Sequence, residues 1–247
     1  MNTILEQYRE LLEKALEEKV YQKFLEQNTQ FVPRHFVQNH GVHMSLVLRK
    51  LKISNDMITD FVILSKSSIA WNYILIEIEK PSSNFFKRGT TKAHSDFIRG
   101  ITQIKSWQAW FDNPANKAHF EAQLRFLKKP ISDAPVNIKY VLVTGRRKEF
   151  EASEAKMRAI GSFESDDFKI MSFDSLSENA HNNGELYLGL RKQGAIELVS
   201  DRVLDTEFLY WCDDSDFQLS QRLKESFILH LDARKRSLES TRLGKQG

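Results

Sequence analysis

Three carboxylates lie close together on two apolar segments of this chain. Asp60 opens Asp60-Phe61-Val62-Ile63-Leu64, and Glu77 and Glu79 close Tyr73-Ile74-Leu75-Ile76-Glu77-Ile78-Glu79-Lys80-Pro81. Both segments read as β-strands, and the gap from Ser65 to Ala70 suits a hairpin turn. Side chains on a strand alternate faces with period two. Ile74, Ile76 and Ile78 therefore share one face, and Leu75, Glu77 and Glu79 share the other. A strand this apolar should be mostly buried, where acids are costly unless something cationic meets them. Three oxygen ligands converging from rigid strands form a site for a hard divalent cation, with Mg²⁺ the first expectation and Mn²⁺ a substitute. Such a cation can acidify a bound water and act as a Lewis acid.

The elements that must hold these acids can be read along most of the chain. Apolar residues from Ile4 to Leu25 recur at three- and four-residue spacings, which predicts one helix over Thr3–Asn28. A strand through Ser45–Leu51 precedes the acidic pair, and a polar loop (Pro81–Thr91) leaves it. Helices follow over His94–Phe111 and Asn116–Lys128, then a strand over Val136–Gly145 closed by Arg146-Arg147-Lys148. A helix (Glu151–Ile160) and a strand (Phe168–Phe173) come next. Beyond Asn182 the pattern changes to short strands (Glu185–Leu190, Ala195–Val199, Phe208–Trp211) and a final helix from Phe217 to about Arg236. The order is that of an α/β fold with the acids in its central sheet.

Composition sets outer limits. At 247 residues with 41% hydrophobic content, the chain can bury a full core as one domain with or without an appendage. A net charge of +3 tolerates nucleic acid as a partner without requiring it. The single cysteine, Cys212, rules out an intrachain disulfide and fits a reducing, cytoplasmic setting. Charges break the apolar runs well short of a membrane span, and the polar, acidic N-terminus is unlike a signal peptide.

The order of elements, with Asp on one strand and Glu-x-Glu/Lys on the next, resembles the PD-(D/E)XK (restriction-endonuclease-like) fold. Thr59-Asp60-Phe61-Val62, Ile76-Glu77-Ile78-Glu79-Lys80-Pro81 and Gln103-Ile104-Lys105-Ser106-Trp107 further resemble the Shedu family of bacterial immune nucleases. So do Tyr140-Val141-Leu142-Val143-Thr144-Gly145-Arg146 and Ile170-Met171-Ser172-Phe173-Asp174-Ser175-Leu176. The likeness covers roughly residues 15 to 180. It implies a metal-dependent DNA endonuclease domain over 1–180, serving antiphage or anti-plasmid defence and commonly assembled as a homo-oligomer. Residues 181–247 would then be an extension with a regulatory or oligomerisation role. Carried over by position, Asp60 and Glu77 are metal ligands, Glu18 is a further acid, and Gln103 reaches back into the site. Many enzymes of this fold place a lysine two residues after the glutamate. This chain has Glu79 there, and its lysine, Lys80, comes one position later. Strand alternation favours Glu79 and turns Lys80 to the opposite face unless a bulge brings it inward.

Gln103 and Trp107 lie one turn apart with Arg99, beside the apolar face of Phe97, Ile101 and Ile104. Trp107 and Trp110 are expected in packing. Arg99, Arg146, Arg147 and Lys148 are candidates for phosphate contact, and Arg234-Lys235-Arg236 is a weaker one. His35, His40 and His43 match no zinc spacing and are expected in loops or at the surface. Two rival functions stand beside the nuclease: a sensor on a degenerate nuclease fold, and another phosphate-handling hydrolase. The second lacks support, because the chain has neither a phosphate-cradling glycine loop nor a Gly-x-Ser-x-Gly elbow.

Overall fold

The near-continuous apolar character of the two acidic strands is that of strands buried on both faces, and the computed structural model places them in the middle of an eight-stranded mixed sheet. It describes residues 3–14, 16–38, 42–124, 126, 133–178, 180–192, 194–200, 202–204, 212 and 214–229. The strands are β1 (Val42–Arg49), β2 (Phe61–Lys66), β3 (Trp71–Ile78), β4 (Val136–Val143), β5 (Phe168–Met171), β6 (Tyr187–Lys192), β7 (Ala195–Leu198) and β8 (Phe217–Gln218). Their order is β5-β4-β3-β2-β1-β6-β7-β8. β1, β2 and β3 form an antiparallel meander, with the turn between β2 and β3 where the sequence predicts it. β3 pairs in parallel with β4, and β4 with β5. β6 joins β1 in parallel, so the strands beyond residue 181 continue the same sheet.

Helices cover both faces. α1 (Ile4–Leu12), α2 (Glu18–Gln27) and the short α6 (Phe173–Leu176) lie on the side of Ile74, Ile76 and Ile78. α3 (Ser95–Phe111) and α4 (Pro114–Ala122) cover the side of Val62 and Leu75, and α5 (Glu154–Gly161) contributes Ile160 to that core. The division of the isoleucines from Leu75 is the one that strand alternation dictates.

The expected single N-terminal helix is two helices. The Tyr21 hydroxyl accepts from Leu16 N–H (3.3 Å) and donates to the Lys14 carbonyl, bonding the backbone groups that the break frees. The bend lets Tyr8 and Leu12 on one helix and Tyr21 and Leu25 on the next all reach the same core. The helix expected over Asn116–Lys128 starts earlier, where Asn113 caps it and Pro114 occupies its first turn, and ends at Ala122. Ser153 caps α5, which delays that helix to Glu154. Phe173, expected at a strand end, opens α6 instead. Phe217 and Gln218 pair with β7, and a helix follows over 221–229 rather than from Phe217. The strand expected over Phe208–Trp211, the Arg234-Lys235-Arg236 cluster and His40 lie outside the described residues. His35 sits edge-on to Phe36. Trp107 is fully buried, and Trp110 packs edge-on against Phe111.

Gly145 ends the β4 segment at φ +58°, where a Cβ would lie 2.5 Å from the Phe85 ring and 2.8 Å from the Ser83 carbonyl. Only glycine meets both demands. This turn closes the loop after β3 against the strand end, with Phe85 and Phe86 N–H groups donating to Glu149 (2.8 and 2.7 Å). No helix among the described residues is long and apolar enough to cross a membrane.

Candidate active site

Phe61 pairs with Ile76, so Asp60, one residue earlier, sits beside Glu77 at the end of the β2–β3 ladder. Asp60 is fixed from three directions. Its Oδ2 accepts from the Ile78 N–H (2.7 Å), and its Oδ1 accepts from Gln22 Nε2 (2.8 Å) and from the Lys50 ammonium. Gln22 also donates to Glu18 Oε1 (2.7 Å), one helical turn away on α2. The first turn of α2 is thereby tied to the strand end and brings Glu18 toward the other acids. An acid there is also favoured by the helix dipole.

The remaining partners come from α3. Arg99 and Gln103 are one turn apart, about 6 Å along the axis, close to the two-residue rise of about 6.6 Å on a strand. The helix therefore matches the spacing of Glu79 and Glu77. Arg99 grips Glu79 through Nε (3.3 Å) and Nη2 (2.7 Å), and Gln103 Nε2 donates to Glu77 Oε1 (2.6 Å). Gly100 lets the helix come close: a Cβ there would stand 3.0 Å from Leu142 and 3.6 Å from Glu79 Cγ. The apolar stripe Phe97, Ile101, Ile104 and Trp107 holds the helix in this register.

Four carboxylates thus converge with fewer cations than acids. Asp60, Glu77 and Glu79 are 4%, 8% and 4% exposed, and Glu18 is partly open. Burial, then Asp60, Glu18 and Glu79, push the Glu77 carboxyl up to about 10. Burial, then Asp60 and Glu79, raise Glu18. Burial also raises Asp60, while Lys50 and the Ile78 amide pull it back. Asp60 has three donors and Glu77 only one amide, so the ionised form belongs to Asp60 and the proton to Glu77. Glu77 Oε2 is buried with no hydrogen-bond partner.

The donor set fits a hard divalent cation in chemistry: all oxygen, net negative, with one buried oxygen unpartnered. Among the described residues, no three such side chains stand in a ready-made metal cage. The Lys50 ammonium sits on Asp60 Oδ1 beside the neutral amide of Gln22, and the ammonium would have to yield for Asp60 to join Glu77 and Glu18 as ligands.

The structure brings together Glu18, Asp60, Glu77, Glu79, Arg99 and Gln103. It does not bring Lys80 to them. Glu79 N–H donates to the Val143 carbonyl (2.9 Å), which carries the ladder one residue past β3 without a bulge, and Lys80 accepts from Ser83 and Gly145 through its own carbonyl. The cations that meet the acids are Lys50 and Arg99. The basic turn lies elsewhere. Arg146 is held by Asp174, Glu13 and the Leu12 carbonyl, and Arg147 by Glu178, while exposed Lys148 lines a cleft of about 370 Å³ with Lys14, Asn84 and Arg146. The acids do not line this cleft, and the cations paired with them, Lys50 and Arg99, have side chains that are 44% and 57% exposed.

Sequence reasoning missed Gln22 and Lys50. Gln22 carries a readable signal, one turn after Glu18 on the same helix face. Lys50 carries a weaker one, at the end of the strand that pairs with the Asp60 strand.

A family model described as Shedu protein SduA, C-terminal, matches residues 15–177, which include every acid of the site, both glutamines and both cations. No curated protein matches the chain. Because that match spans well over half of the sequence and the whole of the site, the chain belongs to the Shedu family.

Proposed function

We propose that this chain is a metal-dependent DNA endonuclease of the PD-(D/E)XK type acting in defence against phage or plasmids. Membership of the Shedu family suggests a defence-related role. The observation that carries the chemistry is the convergence of Glu18, Asp60, Glu77 and Glu79 at one strand end, with Glu77 Oε2 unpartnered in the interior. A divalent cation held there, Mg²⁺ or Mn²⁺, would supply an acidified water and neutralise charge on the phosphate. Asp60 and Glu77 are its ligands, with Glu18 as the third. Gln22 and Gln103 orient these carboxylates through their amides, as supporting hydrogen bonds do for metal ligands. Arg99 pairs with Glu79 and, with a largely exposed side chain, offers a charge to the DNA backbone. Arg146, Arg147 and Lys148 offer the backbone a second, separate basic surface, with Lys148 the side chain least committed to internal pairs. The chain acts as a homo-oligomer, and the segment beyond residue 181 contributes to assembly or restraint.

A second reading, a non-catalytic sensor on the same fold, draws on one observation: Glu79 is closed off by Arg99 where many enzymes of this fold place a lysine. A cleavage assay on circular and linear DNA with Mg²⁺ or Mn²⁺ separates the two. The nuclease reading expects nicking or cutting that Glu77→Ala and Asp60→Ala abolish. Cleavage unchanged in both variants sinks the site assignment, and no cleavage with either ion favours the sensor.

A further inference from the structure

Lys50 is one of two non-glycine residues with a left-handed backbone among those described, at φ +49°. A lysine is strained there, because its Cβ crowds the backbone, and such residues cluster at functional sites. Its N–H donates to the Asp60 carbonyl (3.0 Å), which pins the turn after β1 to the residue that carries the site's aspartate. Its ammonium lies on Asp60 Oδ1, yet the side chain is 44% exposed. The same side chain therefore touches a buried acid and reaches solvent. Its charge is felt at Glu18 and Glu77 as well as at Asp60.

The geometry points to Lys50 as the ammonium that grips the scissile phosphate, parked on Asp60 until a divalent cation takes its place there. This rests on the nuclease reading and names the residue that does the work expected of a lysine after the glutamate. A lysine ammonium and a divalent cation compete for the same carboxylate oxygen. With a cation held at Asp60, the four-carbon stem of Lys50 would let its head swing out to the phosphate, tethered by the pinned backbone. In the hydrolysis, the water oxygen bonds to phosphorus and the bond to the leaving sugar oxygen breaks. The proton from the water ends on that oxygen. Lys50 donates to a non-bridging oxygen where charge builds.

The test measures Mn²⁺ binding by the protein alone and DNA cleavage, in wild type, Lys50→Met, Lys50→Gln and the surface control Lys92→Met. Lys50→Gln keeps a donor for Asp60 and guards against a folding defect. Both Lys50 variants are expected to bind Mn²⁺ roughly three- to tenfold more tightly, because a competing cation is gone. Both are also expected to cut about a hundredfold more slowly, the loss typical of removing one donor to the transition state. Mn²⁺ binding unchanged or weakened in both overturns the parked role, and cleavage unchanged in both overturns the phosphate contact. A greater cleavage loss in Lys80→Met than in Lys50→Met overturns the assignment in favour of Lys80. Wild-type protein that binds Mn²⁺ through Glu77 but never cuts DNA overturns the nuclease reading itself, whereas wild-type cutting matched by Lys50→Met overturns only the Lys50 proposal.

Discussion

Replacing Glu77 with glutamine should stabilise the protein when divalent cations are absent, and the gain should grow with pH. The folded-state carboxyl is pushed up to about 10, from 4.5 for a free glutamate, chiefly by burial. A group whose folded pKa is raised binds its proton more tightly in the folded state. Its contribution is therefore fully present below about pH 4.5 and is lost as pH rises toward about 10. Through that window each pH unit costs wild type about 1.4 kcal/mol relative to a side chain that does not titrate. At pH 7 the penalty is about 3 kcal/mol, reduced to about 2 kcal/mol when Asp60 and Glu18 share part of the negative charge. Glutamine is isosteric, stays neutral, and its carbonyl still accepts from Gln103 Nε2. For a chain of this size, about 2 kcal/mol corresponds to a rise in Tm of roughly 4–8 °C. Thermal and urea unfolding of both proteins in EDTA, at half-unit steps from pH 5 to pH 8.5, measures the gap. A divalent cation should then reverse the order, returning roughly 2.7 kcal/mol to wild type at a hundred times its Kd and nothing to Glu77→Gln. A gap that stays flat between pH 5 and 8.5, or a variant less stable than wild type at pH 8, refutes the picture of a protonated, unpartnered Glu77.

Arg99→Ala leaves the Glu79 carboxylate buried without its partner. It should lower stability by about 1–2 kcal/mol, less than a fully buried pair because Arg99 is largely exposed, and the loss should shrink in an Arg99→Ala/Glu79→Gln double variant read by urea denaturation. Gly145→Ala forces a Cβ into the Phe85 ring and the Ser83 carbonyl at a positive φ, and should cost about 2–4 kcal/mol in the same assay, with cleavage falling as the loop after β3 shifts. Trp107→Ala empties the core beneath α3 and should cost about 3–5 kcal/mol, while Trp107→Phe costs less, judged by the urea midpoint at constant slope. Gln22→Leu removes the neutral donor that orients both Glu18 and Asp60 and should weaken Mn²⁺ binding by about tenfold in a titration of the protein alone, while Gln22→Glu, which adds a charge to the cluster, should cost stability instead.

The acids were legible because strand alternation is strict. Once Tyr73–Glu79 is read as a strand, the common face of Glu77 and Glu79 follows, as does the division between the isoleucines and Leu75. Gln103 was legible because helical periodicity places it one turn from Arg99 beside a clear apolar stripe. The break between α1 and α2 was not, since no glycine or proline marks it. It depends on a tertiary event, the Tyr21 hydroxyl bonding to Lys14 and Leu16, which periodicity cannot carry. The start of α4 could have been placed correctly from Asn113-Pro114, a cap signal that outranks the apolar spacing behind it.

The lysine is the instructive miss. Period two excludes Lys80 from the face of Glu77, and that exclusion holds because Glu79 remains bonded to β4 and no bulge intervenes. The same rule, applied to the neighbouring strand, points elsewhere. Leu48 packs with Val62 and Leu75, so Lys50, two residues on, belongs to the face that carries the acids. A search confined to the residues after the glutamate cannot find it, because a cation reaches a carboxylate across a sheet as readily as along a strand. What the sequence does not display is the left-handed turn at Lys50, which no glycine or asparagine announces and which is bonded to the Asp60 segment through Lys50 N–H and the Leu51 carbonyl. If Asp60 is what holds that turn, Asp60→Asn should loosen it. Amide exchange at Lys50 and Leu51 should then rise by about tenfold or more while exchange in the β3–β4 ladder stays as it was. Equal protection at Lys50 in both proteins would mean that the turn is held by the strands alone and owes nothing to the ion pair.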